Sequence, residues 1–139
     1  MRECRSIYRY EPMPEQPIQV YIVDDEPSVC TAYARLMRSA KMQPRTFASV
    51  EDFMHSDCPD ENACVVSDVH LHGKSGLDLP VLLERAGRHI PVVFVTAHDT
   101  PEIRDRAQRH GAAGYFRKPV DDQALLDAIT WAVSGRHAA

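Results

Sequence analysis

Residues that can carry chemistry follow four short apolar runs of this 139-residue chain. Their side chains are carboxylates, a hydroxyl and an ammonium group. The first run is followed by Asp24, Asp25 and Glu26, and the later runs end in or are followed by Asp68, Thr96 and Lys118. If the runs are strands of one sheet, these side chains meet at one edge. Carboxylates about 4 Å apart repel by roughly 4 kcal/mol at an effective dielectric constant of about 20, so the cluster must take up a proton or bind a cation.

Oxygen ligands without histidine or cysteine side chains favour a hard cation, and Mg²⁺ keeps waters that an incoming phosphate can replace. These residue types suit phosphoryl transfer to a carboxylate. Asp68 would be the nucleophile, Lys118 would neutralise charge on the transferred oxygens, and Thr96 would hold one of them. Ala97 is small and leaves room for the group to enter.

Hydrophobic patterning indicates which elements position these residues. It predicts strands over 18–23, 42–47, 63–67, 91–96 and 113–117, and helices over 27–40, from 49, over 79–86, 101–110 and 121–134. Five strands that alternate with five helices predict an α/β fold, a doubly wound five-stranded parallel sheet with helices on both faces. Ligands of such sheets bind beyond the carboxyl ends of the strands, where the polar residues lie.

Two further features of the pattern bear on the site. Pro44 weakens the second strand and places it near a sheet edge. The helix over 101–110 has few apolar residues, chiefly Ile103 and Ala107, so its local opening should cost little free energy. We therefore expect this helix to be the element that shifts; the alternative is that the thin apolar stripe marks only an exposed helix.

Composition restricts the class of protein. The chain is 44% hydrophobic and 26% charged, which is ordinary globular usage and enough for one domain. No apolar run approaches the roughly 20 residues of a membrane helix, and the net charge of −4 argues against non-specific nucleic-acid binding. Four cysteines without a C-x-x-C pair indicate reduced thiols and a cytoplasmic protein. We expect a flexible extension over 1–17, one domain over 18–135 and a tail over 136–139.

Four motifs stand in order along the chain. They are V-D-D-E-P-S-V at 23–29, S-D-V-H-L-H-G-K-S-G-L-D-L at 67–79, V-F-V-T-A at 93–97 and G-Y-F-R-K-P at 114–119. Together they resemble the receiver domain of two-component response regulators, of the CheY-like and FixJ-type kind. The resemblance covers about residues 18–135 and implies a flavodoxin/CheY-like fold with strand order 2-1-3-4-5.

The resemblance also implies a role for each matching residue. Asp68 matches the phospho-accepting aspartate, and Lys118 matches the phosphoryl-binding lysine, whose peptide bond to Pro119 is cis in the family. The switch pair is matched by the hydroxyl of Thr96 and the aromatic ring of Tyr115. The ligands implied for Mg²⁺ (or Mn²⁺) are Asp24, Asp25, Asp68 and the backbone carbonyl of His70.

One loop departs from the family pattern. Family members commonly carry proline four residues after the aspartate, where this chain has His72. His70 and His98 stand two residues after Asp68 and Thr96, on the route to the phosphoryl group. Their imidazoles could steer water, bind phosphate when protonated or ligate a transition metal, or they could be ordinary exposed polar side chains.

The resemblance implies a phosphoryl group taken from a sensor histidine kinase or phosphotransfer protein, and a signal passed to a downstream protein or a homodimer. The dimer face would be built by helix 101–110, strand 113–117 and helix 121–134, where arginines and aspartates could pair across it or remain solvated. We expect no membrane contact and no direct contact with nucleic acid by this domain. The chain's length favours a single-domain regulator that catalyses its own phosphorylation and dephosphorylation.

Other readings remain open. The chain could be the receiver fragment of a FixJ-type DNA-binding transcription factor, or a pseudo-receiver that only scaffolds. A phosphatase or phosphotransferase acting on small molecules through an aspartyl phosphate should need a D-x-D pair and a lid, and neither is present in the sequence. A flavodoxin-like nucleotide-binding module is disfavoured because no glycine-rich loop follows the first strand.

Overall fold

A five-stranded parallel sheet forms the centre of the molecule. A computed structural model describes residues 16–72 and 74–135. The strands are β1 Gln19–Val23, β2 Gln43–Phe47, β3 Ala63–Asp68, β4 Val92–Thr96 and β5 Gly114–Arg117. They lie in the order β2-β1-β3-β4-β5, all parallel. Counted among these five strands, the predicted order 2-1-3-4-5 and the edge position of β2 are confirmed.

A short strand pair, His70–Leu71 with Lys74–Ser75, lies outside this sheet and is antiparallel. It occupies the segment that the sequence predicts as a loop after Asp68. The chain therefore has two short strands in addition to the five of the main sheet, and the fold class is unchanged.

Five helices connect the strands, and each lies within two residues of its predicted bounds where bounds were predicted. They are α1 Pro27–Ser39, α2 Val50–Met54, α3 Leu79–Arg85, α4 Pro101–Arg109 and α5 Asp122–Val133. Side-chain oxygens cap three of them: Ser49 accepts from the Asp52 amide, Thr100 from the Ile103 amide and Asp121 from the Ala124 amide. Such caps satisfy amides that have no partner within the helix, which explains where these helices begin.

The sheet carries a separate core on each face. On one face, Tyr21 and Phe94 of the sheet pack with Phe53, Leu83 and Ala107, which belong to α2, α3 and α4. On the other face, side chains of β1, β3 and β4 pack with α1 and α5, including Ile22, Val66, Met37, Leu125 and Ile129. Helices on both faces confirm the doubly wound architecture.

The cysteines that the structure describes are free and buried: Cys30, Cys58 and Cys64. Cys64 is a core residue, and burial raises the pKa of its thiol to about 12. No helix in the described ranges is long and apolar enough to cross a membrane. The predicted extension over 1–17 and tail over 136–139 lie outside the described residues, except for Gln16 and Pro17, whose carbonyls accept from the Asn62 side chain.

Candidate functional site

The register of the parallel strands brings four of the predicted residues to one edge of the sheet. Val23 lies beside Ser67, and Thr96 lies beside Arg117 in the neighbouring strand. The residues that follow, Asp24, Asp68 and Lys118, therefore leave the sheet together with Thr96. This is the carboxyl edge, where open α/β sheets hold their ligands.

Lys118 joins two of the carboxylates. Its Nζ atom lies 3.5 Å from Oδ2 of Asp68 and 3.6 Å from Oδ2 of Asp24. Burial lowers the pKa of Lys118, but the two carboxylates outweigh this effect and leave the pKa above its ordinary value. The ammonium group is therefore charged at neutral pH and partly compensates two negative side chains.

Asp24 is a buried carboxylate with one oxygen unsatisfied. The side chain is 2% exposed, and its Oδ1 accepts from the Glu26 amide at 2.9 Å. Oδ2 has no hydrogen-bond partner. Burial raises the pKa of Asp24, Asp68 and Asp25 raise it further, and the Glu26 amide and Lys118 lower it. A buried carboxylate oxygen without a hydrogen bond costs free energy even with Lys118 at 3.6 Å, and a cation at Oδ2 would offset that cost.

The carboxylate of Asp25 is bonded to the segment that follows β3. Its Oδ2 accepts from the His72 amide at 2.8 Å and lies 3.6 Å from Nδ1 of the same residue. His72 has a φ of 23°, a backbone conformation that side-chain-bearing residues rarely adopt. The proline usual here in the family has no amide hydrogen, so this bond depends on the departure from the family pattern.

Across residues 16–72 and 74–135, no three histidine, cysteine, aspartate or glutamate side chains form a group that could hold a metal ion. The predicted carboxylates are therefore near one another but do not form one finished ligand set. Lys118 bridges Asp24 and Asp68, while Asp25 is bonded to the His72 amide. Asp24 Oδ2 remains the oxygen that best fits a hard cation.

Asp68 is fixed by its backbone neighbours. Its Oδ1 accepts from the His70 amide at 3.3 Å, and its carbonyl accepts from the Ser67 hydroxyl at 2.9 Å. Gly76 packs so closely that any Cβ there would clash with the Asp68 carbonyl oxygen. The 3-10 turn Gly76–Asp78, which follows the short strand pair, thus packs against the backbone of Asp68, and only glycine permits this approach.

Thr96 is fully buried, and its Oγ1 accepts from the His98 amide at 2.9 Å. Its carbonyl accepts from the Lys118 amide at 2.7 Å, which ties the ends of β4 and β5 together. Ala97, which directly follows Thr96, is exposed, as expected for a small residue where the phosphoryl group enters. The peptide bond between Lys118 and Pro119 is cis, as the family resemblance implies.

Tyr115 is half-buried and bonded to the loop that follows β4. Its hydroxyl donates to Oδ1 of Asp99 at 3.0 Å, and Oδ2 of Asp99 accepts from Arg104 at 2.7 Å. Burial and the bond to Asp99 raise the pKa of Tyr115 to about 12. The bond from Arg104 and that from Tyr115 hold the pKa of Asp99 below its ordinary value.

Sequence reasoning missed three participants. Asp99 belongs to none of the four motifs, so the sequence did not indicate its bond to Tyr115. The need for glycine at position 76 follows only from the close approach of two backbone segments in the fold. His72 supplies an amide donor because it is not proline, but its bond to Asp25 also depends on the backbone turn at His72, which the sequence does not show.

Comparison with known proteins gives one consistent result. A sequence profile described as the response regulator receiver domain matches residues 20–130. Nodulation protein W of Bradyrhizobium diazoefficiens is 38% identical over 110 residues, covering 79% of this chain and 48% of that protein. Transcriptional regulatory protein FixJ of Azorhizobium caulinodans is 33% identical over 117 residues, covering 84% and 55%.

Solved structures agree with these matches. The crystal structure of FixJ-N has a TM-score of 0.78 at 28% identity and covers 86% of this chain and 96% of that chain. Response regulator StyR has a TM-score of 0.77 at 35% identity, covering 86% and 60%. The chain spans about half the length of the curated relatives it matches.

Proposed function

Because the chain belongs to the response regulator receiver domain family of two-component systems, we propose that it accepts a phosphoryl group on Asp68 and signals through the shape of its α4-β5-α5 face. Receivers of this family act with histidine kinases and downstream effectors. The observation that carries the proposal is the ammonium group of Lys118, shared by Asp68 and by Asp24, whose Oδ2 has no hydrogen-bond partner. The region that performs this role is proposed to be residues 18–135.

The reaction follows from these positions. A carboxylate oxygen of Asp68 attacks the phosphorus of a donor phosphohistidine, the P–N bond breaks, and its electron pair remains on the imidazole nitrogen. Lys118 neutralises charge on the transferred oxygens, and the Thr96 hydroxyl exchanges the His98 amide for one of them. Hydrolysis of the same acyl phosphate later ends the signal, so the chain catalyses both steps on itself.

The family in general binds Mg²⁺ at the phosphorylation site. Asp24, Asp68 and the backbone carbonyl of His70 would hold Mg²⁺ or Mn²⁺ here, with Asp25 joining once it is released from the His72 amide. When bound, the cation supplies charge neutralisation at the phosphoryl oxygens. The unsatisfied Asp24 Oδ2 supports this assignment.

Movement of Thr96 toward the phosphoryl group would break its bond to the β4–α4 loop, which also carries Asp99. Tyr115 would then leave Asp99 and turn inward, and α4 would shift with the loop. The changed face would bind a downstream protein or a second copy of the chain. We propose that the chain works in the cytoplasm, where its kinase would present the phosphoryl group, and that this domain itself contacts neither nucleic acid nor membrane.

Intact-mass measurement after incubation with acetyl phosphate and Mg²⁺ tests this function. The wild type should gain the mass of one phosphoryl group, stable to acid and labile to base, and chelation of Mg²⁺ should prevent it. Asp68→Asn should gain nothing, whereas the matched control Asp57→Asn, on an exposed loop, should behave as wild type. Uptake by Asp68→Asn would refute the site, and no uptake by the wild type from any donor would favour a phosphorylation-independent scaffold.

A second candidate is that this domain serves a DNA-binding regulator. The matched relatives named transcriptional regulatory proteins, TdiR and FixJ, are about twice as long as the matched region. An antibody to this domain should then detect a native protein well above 15.7 kDa. A native protein of 15.7 kDa would instead support a single-domain regulator.

A further inference from the structure

The imidazole rings of two histidines lie close together near the carboxyl edge of the sheet. The rings of His70 and His98 have centroids 5.0 Å apart and meet edge to face. Both side chains are exposed, so solvent can reach the nitrogens of both rings. Neither ring takes part in the phosphoryl chemistry proposed above.

The backbone fixes both histidines beside functional residues. The His70 amide donates to Asp68 at 3.3 Å, and the His98 amide donates to Thr96 at 2.9 Å. The rings therefore project from two separate segments, the short strand His70–Leu71 after β3 and the loop after β4, which meet near the strand ends. Their proximity is a property of the fold, since the two residues are far apart in sequence.

We propose that His70 and His98 form a binding site for a divalent transition-metal cation of the zinc type. Imidazole nitrogen suits such cations, whereas Mg²⁺ prefers oxygen. A zinc ion about 2.0–2.1 Å from one nitrogen of each ring, with tetrahedral bond angles, places the ring centroids about 5 Å apart. The observed separation matches this spacing, and rotation of two exposed rings can direct a nitrogen of each toward the ion.

The surroundings favour a weakly held, exchangeable ion. Asp24, Asp25 and Asp68 outnumber Lys118, so the charge near the pair is net negative and attracts a cation. No third histidine, cysteine, aspartate or glutamate in the described part of the chain completes a metal-binding group, so water fills the remaining positions. With two protein ligands instead of the four of a structural zinc site, the ion would be held more weakly than a structural metal.

An ion here would link the segment that follows Asp68 to the loop that follows Thr96. It would stand in the route to Asp68 and oppose the movement of Thr96 toward a phosphoryl group. Bound zinc should therefore slow phosphoryl uptake. This consequence rests on the proposed function, whereas the binding itself does not.

Calorimetric titration of the full chain with Zn²⁺, with millimolar Mg²⁺ present to occupy the carboxylates, tests the site. One ion should bind, and His70→Ala or His98→Ala should each weaken it at least about tenfold, as expected when a metal ligand is lost. The exposed His55→Ala is the matched control and should bind as wild type. Unchanged affinity in both site variants, or an equal loss in Asp25→Asn, would overturn the proposal.

A second measurement does not depend on the fold of the variants. In two-dimensional NMR of the wild type, Zn²⁺ should shift the ring signals of His70 and His98 before those of the other histidines, and a different order would refute the site. Zn²⁺ should also slow phosphoryl uptake by the wild type more than by His98→Ala. Zinc binding without any uptake by the wild type would refute the proposed function alone.

Discussion

At the scale of single residues, Asp24 holds the least favourable charge among the site residues. Its carboxylate is buried, one oxygen lacks a hydrogen-bond partner, and burial raises its pKa despite Lys118. Without a cation, the ionised form therefore costs folding free energy. The cation proposed at Oδ2 would offset this cost.

Asp24→Asn should make the metal-free chain about 1 kcal/mol more stable at neutral pH, because it removes the buried charge and can keep the acceptor for the Glu26 amide. Urea unfolding in a chelator measures this difference. Mg²⁺ should stabilise the wild type and leave the variant unchanged. A less stable variant in the chelator would contradict this account of Asp24.

The pH dependence of the same residue has a definite sign. Since the folded state raises the pKa of Asp24, it binds this proton more tightly than the unfolded chain does. Ionisation should therefore lower stability as pH rises from about pH 4 through the raised pKa, and this loss should be absent in Asp24→Asn. Unfolding curves of both chains over that range, with chelator present, provide the comparison.

At the scale of elements, α4 and α5 are held with very different strength. In α4 only Ala107 is buried, with Ile103 packed at the margin, and Asp99 and Arg104 join its start to Tyr115. In α5, the side chains Leu125, Ile129 and Ala132 are all buried. Few buried contacts give a low cost of local opening, so α4 is the element best able to move.

Hydrogen exchange should reveal this contrast. Amides of residues 101–109 should exchange faster than those of residues 122–133 in the unphosphorylated chain. Beryllofluoride, a phosphoryl mimic, should change the exchange of α4 and the preceding loop more than that of α5. Equal protection of the two helices would contradict the role given to α4.

The thin apolar stripe of α4 was readable from sequence because helical periodicity shows which side chains can be buried. The same reasoning gave every strand of the main sheet within two residues. It could not give the bond from the His72 amide to Asp25, because this depends on a backbone turn at φ 23°. Nor could it give the edge-to-face contact of His70 and His98, since tertiary packing alone brings them together.

At the scale of the whole molecule, many charged side chains of the α4-β5-α5 face are already paired within the chain, so fewer are available to a partner than the sequence indicates. Three of its arginines already have carboxylate neighbours within the chain: Arg104 with Asp99, Arg106 with Asp78 and Arg109 with Asp105. Asp121 caps α5 and Asp127 accepts from Gln123. A homodimer on this face would therefore depend more on Arg117, which is exposed at the end of β5.

Light scattering with beryllofluoride and Mg²⁺ should show the mass rising from one chain toward two. Arg117→Glu should reduce this rise, because it places a negative charge opposite the aspartates of α5. Arg45→Glu, on strand β2 at the other edge of the sheet, is the matched control and should dimerise normally. A mass that stays at one chain in the wild type would exclude this homodimer.

Strand β2 forms the opposite edge of the sheet, and Pro44 lies within it. The Gln43 amide donates inward to Ile18, so the alternation of strand amides turns position 44 outward. Proline has no amide hydrogen to offer there. A strand of another molecule that paired with this edge would lack one hydrogen bond at position 44. Pro44 therefore disfavours edge-to-edge aggregation at high concentration.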